Sequence, residues 1–93
     1  LAQLALDRQD WKGAESLARE ALTLSEAVGR QELIAADCYH LAQALVRQGN
    51  ASEALPHARR TVEICIKLGS PELDKAQATL AECEAASNTE GTP

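Results

Sequence analysis

Residues 41–69 read LAQALVRQGNASEALPHARRTVEICIKLG, and residues 1–29 read LAQLALDRQDWKGAESLAREALTLSEAVG, a shift of 40 positions. Under that shift Leu1-Ala2-Gln3 falls on Leu41-Ala42-Gln43, Ala14 on Ala54, Ala18-Arg19 on Ala58-Arg59 and Gly29 on Gly69. The register continues as Glu32, Leu33 and Ala36 meet Glu72, Leu73 and Ala76. Asp10 with Asn50, Leu22 with Val62, Leu24 with Ile64 and Val28 with Leu68 preserve chemistry without identity. Alanine inflates any count of matches in such a chain, so their placement carries the argument. A fixed period of this size marks a solenoid, in which each hairpin buries its apolar side against the next. The expected fold is all-α: an antiparallel helix-hairpin solenoid, stacked right-handed, of about five helices and two and a half repeats.

Local signals place the helices. Leu1 to about Arg8 reads as the end of a helix, and Gln9-Asp10 as a turn in which Asp10 caps the second helix. From Trp11 to Val28, Ala14, Leu17, Ala18, Ala21, Leu22, Ser25 and Val28 keep three-four spacing, and Gly29 stops the run. A third helix spans about Gln31 to Gln48, with Ile34, Cys38, Leu41, Ala42 and Leu45 on its face and Gly49 after it. Asn50 and Glu53 have capping-box spacing for a fourth helix ending at Leu68. Its face reads Ala54, Leu55, Ala58, Thr61, Val62, Cys65 and Leu68. Pro56 lies near its start, where the lost hydrogen bond does less damage than mid-helix. Ser70-Pro71 opens a fifth helix reaching roughly Ala86. A helical domain over 1–86 and a flexible tail over 87–93 are therefore expected. Opening at Leu1 inside a helical pattern, the chain reads as a portion of a longer protein.

Composition excludes several classes. The net charge of −5 is spread without blocks, which argues against nucleic acid as a partner, since phosphates demand a basic footprint. No apolar run approaches the ~20 residues of a membrane span. Three cysteines, an odd number, fall inside helical patterns, which fits reduced thiols in a cytoplasmic setting. Cys38 and His40 lie two apart on a helix and so point in different directions, unlike a nucleophile and its base. No pair among Cys38, His40, His57, Cys65 and Cys83 has the close spacing of a zinc site. No enzyme activity, cofactor or metal is expected.

The hairpins resemble tetratricopeptide repeats. In residues 35–68, Leu41-Ala42, Leu45, Gly49, Ala54, Ala58 and Thr61 stand at the family's characteristic positions. Ala2, Ala5, Trp11, Ala14, Ala18 and Ala21 follow the same frame one unit earlier. The period is 40 rather than 34, as in the extended repeats of kinesin light chains and many bacterial regulators. Beyond Ala76 the frame slips, with Leu80-Ala81 one residue short of Leu41-Ala42. HEAT hairpins share a similar period, but the Leu-Ala, Gly and Ala spacing is not their habit.

The resemblance implies a non-catalytic scaffold that holds a protein or peptide in a concave groove lined by the first helix of each hairpin. On that basis the groove residues are Gln3, Asp7, Tyr39, His40, Gln43 and Arg47, with Leu6 and Val46 close by. Tyr39 offers a flat apolar surface with a hydroxyl, Arg47 a carboxylate-matching fork, and Gln3 and Gln43 bonds to a peptide backbone. Ala36, His40 and Gln43 stand where chaperone-tail-binding members carry a Lys/Asn clamp, so that partner class is not expected. The alternative is a structural spacer or self-association segment, in which exposed repeat ends pair with a second copy. Trp11 reads as packing under the turn, while Arg59-Arg60 with His57, and Glu82 with Glu84, read as solvated surface.

Overall fold

A computed structural model describes residues 11–90, and those residues form four helices and no strand. They are α1 (Trp11–Val28), α2 (Gln31–Arg47), α3 (Ala51–Leu68) and α4 (Leu73–Glu90). Each packs against the next in sequence, and α2 also touches α4. The helix expected over residues 1–8, the Asp10 cap and the last residues of the expected tail lie outside the described residues.

Short turns make the hairpins. At the end of α2, Gly49 adopts φ +83°, a left-handed conformation that Gly enters without a Cβ penalty. There Asn50 N–H donates to Leu45 O at 2.9 Å and Gly49 N–H to Val46 O at 3.1 Å, the paired bonds of a Schellman ending. Gly69 repeats the arrangement at φ +63°, with Ser70 N–H on Cys65 O at 2.9 Å.

Two local expectations are corrected. Asn50 makes no side-chain cap bond, since its backbone carbonyl takes the Glu53 N–H at 3.1 Å, and the Glu53 carboxylate that would complete the box is bonded to Arg19 of α1 instead. The last helix starts at Leu73 rather than at Pro71 and runs to Glu90 rather than ending near Ala86. Ser70 still caps its entry, accepting Glu72 N–H at 3.1 Å. Ser87 to Glu90 contain no Gly or Pro, so nothing in them forces a stop.

The core is built on α2. Leu41 and Leu45 are fully buried, with Cys38, Ala42 and Ala44 beside them, and Ile34 is nearly so. Facing them, Ala54 and Ala58 of α3 are buried, and the Thr61 hydroxyl reaches the backbone carbonyl of Ala35 at 3.3 Å. Alanine at these contacts lets the helix backbones approach closely. Ser25, on the apolar face of α1, donates to Asp37 Oδ2 at 2.6 Å and is thereby satisfied. No buried side-chain polar atom among the described residues lacks a partner. Cys38, Cys65 and Cys83 are buried and unpaired, and burial raises the thiol pKa of Cys38 and of Cys83. Among the described residues no helix is long and apolar enough to cross a membrane.

Candidate functional site

A groove of about 420 Å³ opens between α2 and α4, with the C-terminal half of α3 as its floor. Ala35, Thr61, Cys65 and Ala76 supply a mostly apolar bed, while Glu32, His40, Glu72 and Lys75 stand at its edges. Tyr39 and His40 line it, their rings meeting edge to face at 5.5 Å. Gln43, one turn on, donates from Nε2 to the Tyr39 hydroxyl at 3.2 Å. That bond occupies an acceptor position of the phenol and leaves its proton to be donated to a ligand carbonyl. Tyr39 and Gln43 are half-buried and His40 exposed. Gln3 and Asp7 lie outside the described residues.

Arg47 is placed differently from the others. Its guanidinium bridges to Glu82 of α4 at 3.3 Å and sits 5.9 Å from the centre of the Trp11 ring of α1. It is engaged within the chain, and Glu82 is correspondingly not just solvated surface. Exposed ion pairs contribute about 0–1 kcal/mol, and an exposed cation over an aromatic face about 0.5–1 kcal/mol. Arg47→Ala is accordingly expected to cost roughly 1 kcal/mol of stability. Denaturant titration checks this, with an unchanged midpoint counting against the bridge.

Sequence reading took the groove from residues 1–8 and the helix after Gln31, and missed the floor on α3 and the wall on α4. Ala36 and Ala76, and Glu32 and Glu72, recur at the 40-residue period, and all four line the groove. That recurrence was the available signal. The floor residues Thr61 and Cys65 gave none, because their spacing marks only a buried face.

The outer helices are laced by charge. Arg19 of α1 binds Glu53 of α3, and Arg60 of α3 binds Glu26 of α1 at 2.7 Å. Both pairs are 34 residues apart and lie seven positions from each other along each helix. Arg60 is thus not a solvated basic spot. A further tie runs from Gln48 Nε2 to Glu15 Oε1 at 2.9 Å. The Gln48 bond, followed by Arg19, holds the Glu15 carboxyl below its ordinary range.

His57 occupies this same seam, half-buried. Burial first, then the Arg19 guanidinium, push its imidazole below the ordinary value, Arg60 adding to this and Glu53 and Glu26 opposing it. As pH falls through about 6.5 the unfolded chain takes up the proton before the folded one does. Stability contributed here is therefore present at neutral pH, lost from that point down to the lowered folded-state pKa, and constant below it. Replacing His57 by Leu, the residue at its counterpart Leu17, is expected to flatten that part of the stability–pH curve. Denaturation midpoints of both chains between about pH 7 and 5 provide the check, and an unaltered slope would contradict it.

Helical hairpins packed side by side, with a groove on the α2/α4 side, define a helical-repeat protein. The sequence model of the tetratricopeptide repeat family matches residues 38–68, and this segment, the second half of α2 with all of α3, is a repeat of that family. Comparison with curated proteins and with solved structures gives no match.

Proposed function

We propose that the chain is a non-catalytic scaffold module that takes a segment of a partner protein in the α2/α4 groove. The observation that carries this reading is the groove itself. An apolar bed for a side chain lies beside an oriented hydroxyl, in a groove whose α3 floor and Tyr39–His40 edge fall within the segment matched to a family of interaction repeats. Its walls are braced by neighbouring helices, so the ordering cost of binding falls on the partner. Tyr39, His40 and Gln43 are the contacts offered, and Gln3, the counterpart of Gln43, and Asp7 join them on the repeat frame alone. Arg47 holds α2 to α4 rather than the ligand. On this reading the module works in a bacterial cytoplasm, where its buried, unpaired thiols stay reduced. A spacer or self-association role draws on a different surface, the outer flanks of α1 and α3.

The test uses Ala36→Trp combined with Tyr39→Ala, which fills the groove and removes its aromatic edge while sparing the core. Capture from a lysate of the source organism, quantified by mass spectrometry, should show a partner retained by the unmodified chain and reduced about tenfold, or 1.4 kcal/mol, by the variant. Thermal midpoints should stay matched. Equal capture by the two chains would refute groove binding.

A further inference from the structure

Three kinds of side chain follow one another along the α2 wall of the groove. Glu32 stands at one end, Ala35 and Ala36 come a turn later, and Tyr39 a turn after those. The α4 wall repeats the acid end, because Glu72 is the counterpart of Glu32 at the 40-residue period and also lines the groove. Two carboxylates from different helices therefore flank one end of the apolar bed. Each is held by an ion pair to a near neighbour in sequence, Glu32 to Arg30 at 3.1 Å and Glu72 to Lys75 at 3.4 Å. All four side chains are more than half exposed, so these pairs contribute little and exchange readily for another cation. A bond from its own backbone N–H, then the Arg30 guanidinium, holds the Glu32 carboxyl below its ordinary range. Lys75 is the one lysine or arginine lining the groove among the described residues. Arg47, on the same helix as Glu32, is drawn to Glu82 instead.

We infer that the segment held in this groove carries a lysine or arginine beside an apolar residue. The cation lies between Glu32 and Glu72, and the apolar side chain rests on Ala35, Cys65 and Ala76. This rests on the groove-binding reading above and gives its partner a chemistry. Spacing supports it as well as charge. Glu32 and Tyr39 are seven residues apart on α2, about 10 Å along the helix axis, and an extended chain covers that in about three residues. Such a stretch sets a cation at the acid end, an apolar side chain over the bed and a backbone carbonyl at the far end. There the Tyr39 hydroxyl, which accepts from Gln43, has its proton to donate. An acidic segment would bring a third carboxylate beside two. The net charge of −5 adds a longer-range attraction for cationic segments.

Selection from a displayed library of random linear peptides, with the 93-residue chain as bait, tests this without assuming a sequence. Retained peptides should be enriched in Lys or Arg adjacent to an apolar residue. A synthetic copy of the most enriched one should bind Glu32→Gln combined with Glu72→Gln about tenfold more weakly, a loss of 1.4 kcal/mol. Its binding to the unmodified chain should weaken with added salt. Replacing the peptide's cation by Gln should cost as much against the unmodified chain and little more against the double variant, the mark of a direct contact. Both glutamates are exposed, so circular dichroism should show the variant folded. Peptides that lack basic residues yet are lost with Ala36→Trp would overturn the inference and leave groove binding standing. Equal affinity of the double variant would do the same. A library that is not enriched, or peptides that Ala36→Trp still retains, would sink both.

Discussion

Leu41→Ala is expected to lower the unfolding free energy by about 2–5 kcal/mol, the range for emptying a fully buried leucine site. Leu41 has no exposed surface, and it lies midway along the helix that contacts every other described helix. Its neighbours in the core, Ala42, Ala54 and Ala58 among them, are too short to swing into the space. The site therefore relaxes poorly, which favours the upper half of the range. A chain of 93 residues holds only about 0.05–0.15 kcal/mol per residue in all. The loss removes a large share of that total and should drop the thermal midpoint by roughly 10 °C or more. Circular dichroism during urea and thermal unfolding measures it. Val28→Ala is the control, because Val28 is 67% exposed and should stay within about 0.5 kcal/mol. A cost for Leu41→Ala no greater than the control's would mean that α2 is not the centre of the core.

How far such a result was legible beforehand differs from residue to residue. The face written by Ile34, Cys38, Leu41, Ala42 and Leu45 is buried as its spacing required, because a helix with neighbours on both sides has no other place for it. The same spacing also nominated Val28 and Leu68, which are 67% and 48% exposed. Both are the last residues of their helices, next to the glycine turns, where a periodic position has little to pack against. Glu53 shows a second kind of limit. A capping box is a local pattern, and the competing Arg19 lies 34 residues away, so only the fold could decide between them. Arg47 is a third case. Its position on the groove-side helix was legible, but its bridging of Trp11 and Glu82 joins residues from three helices. The apolar walls contributed by α3 and α4 were hidden for the same reason, since a groove belongs to several helices and a sequence pattern to one.

Ala58→Leu is expected to destabilise the chain by about 1–3 kcal/mol, the usual cost of overpacking a filled core. The cause would be steric, since Ala and Leu are both strong helix formers and α3 itself loses little. Ala58 is 1% exposed and lies one turn before Thr61, whose hydroxyl touches the backbone carbonyl of Ala35. A side chain on that stripe therefore meets the backbone of α2, which cannot rotate away as a neighbouring rotamer could. Three added carbons must push α3 outward, loosening Ala54 and Cys65 on the same stripe and straining the lacing of Arg60 to Glu26. Ala36→Leu, at an exposed position on α2, makes the same chemical change and should be close to neutral. The repeat extends the expectation to Ala18, the counterpart of Ala58 and itself 5% exposed, where leucine should cost free energy of the same sign. Urea midpoints of the three variants measure the differences. If Ala58→Leu matched Ala36→Leu, the alanines of the repeat would be fillers, and close backbone approach would not be what joins one helix of a hairpin to the other.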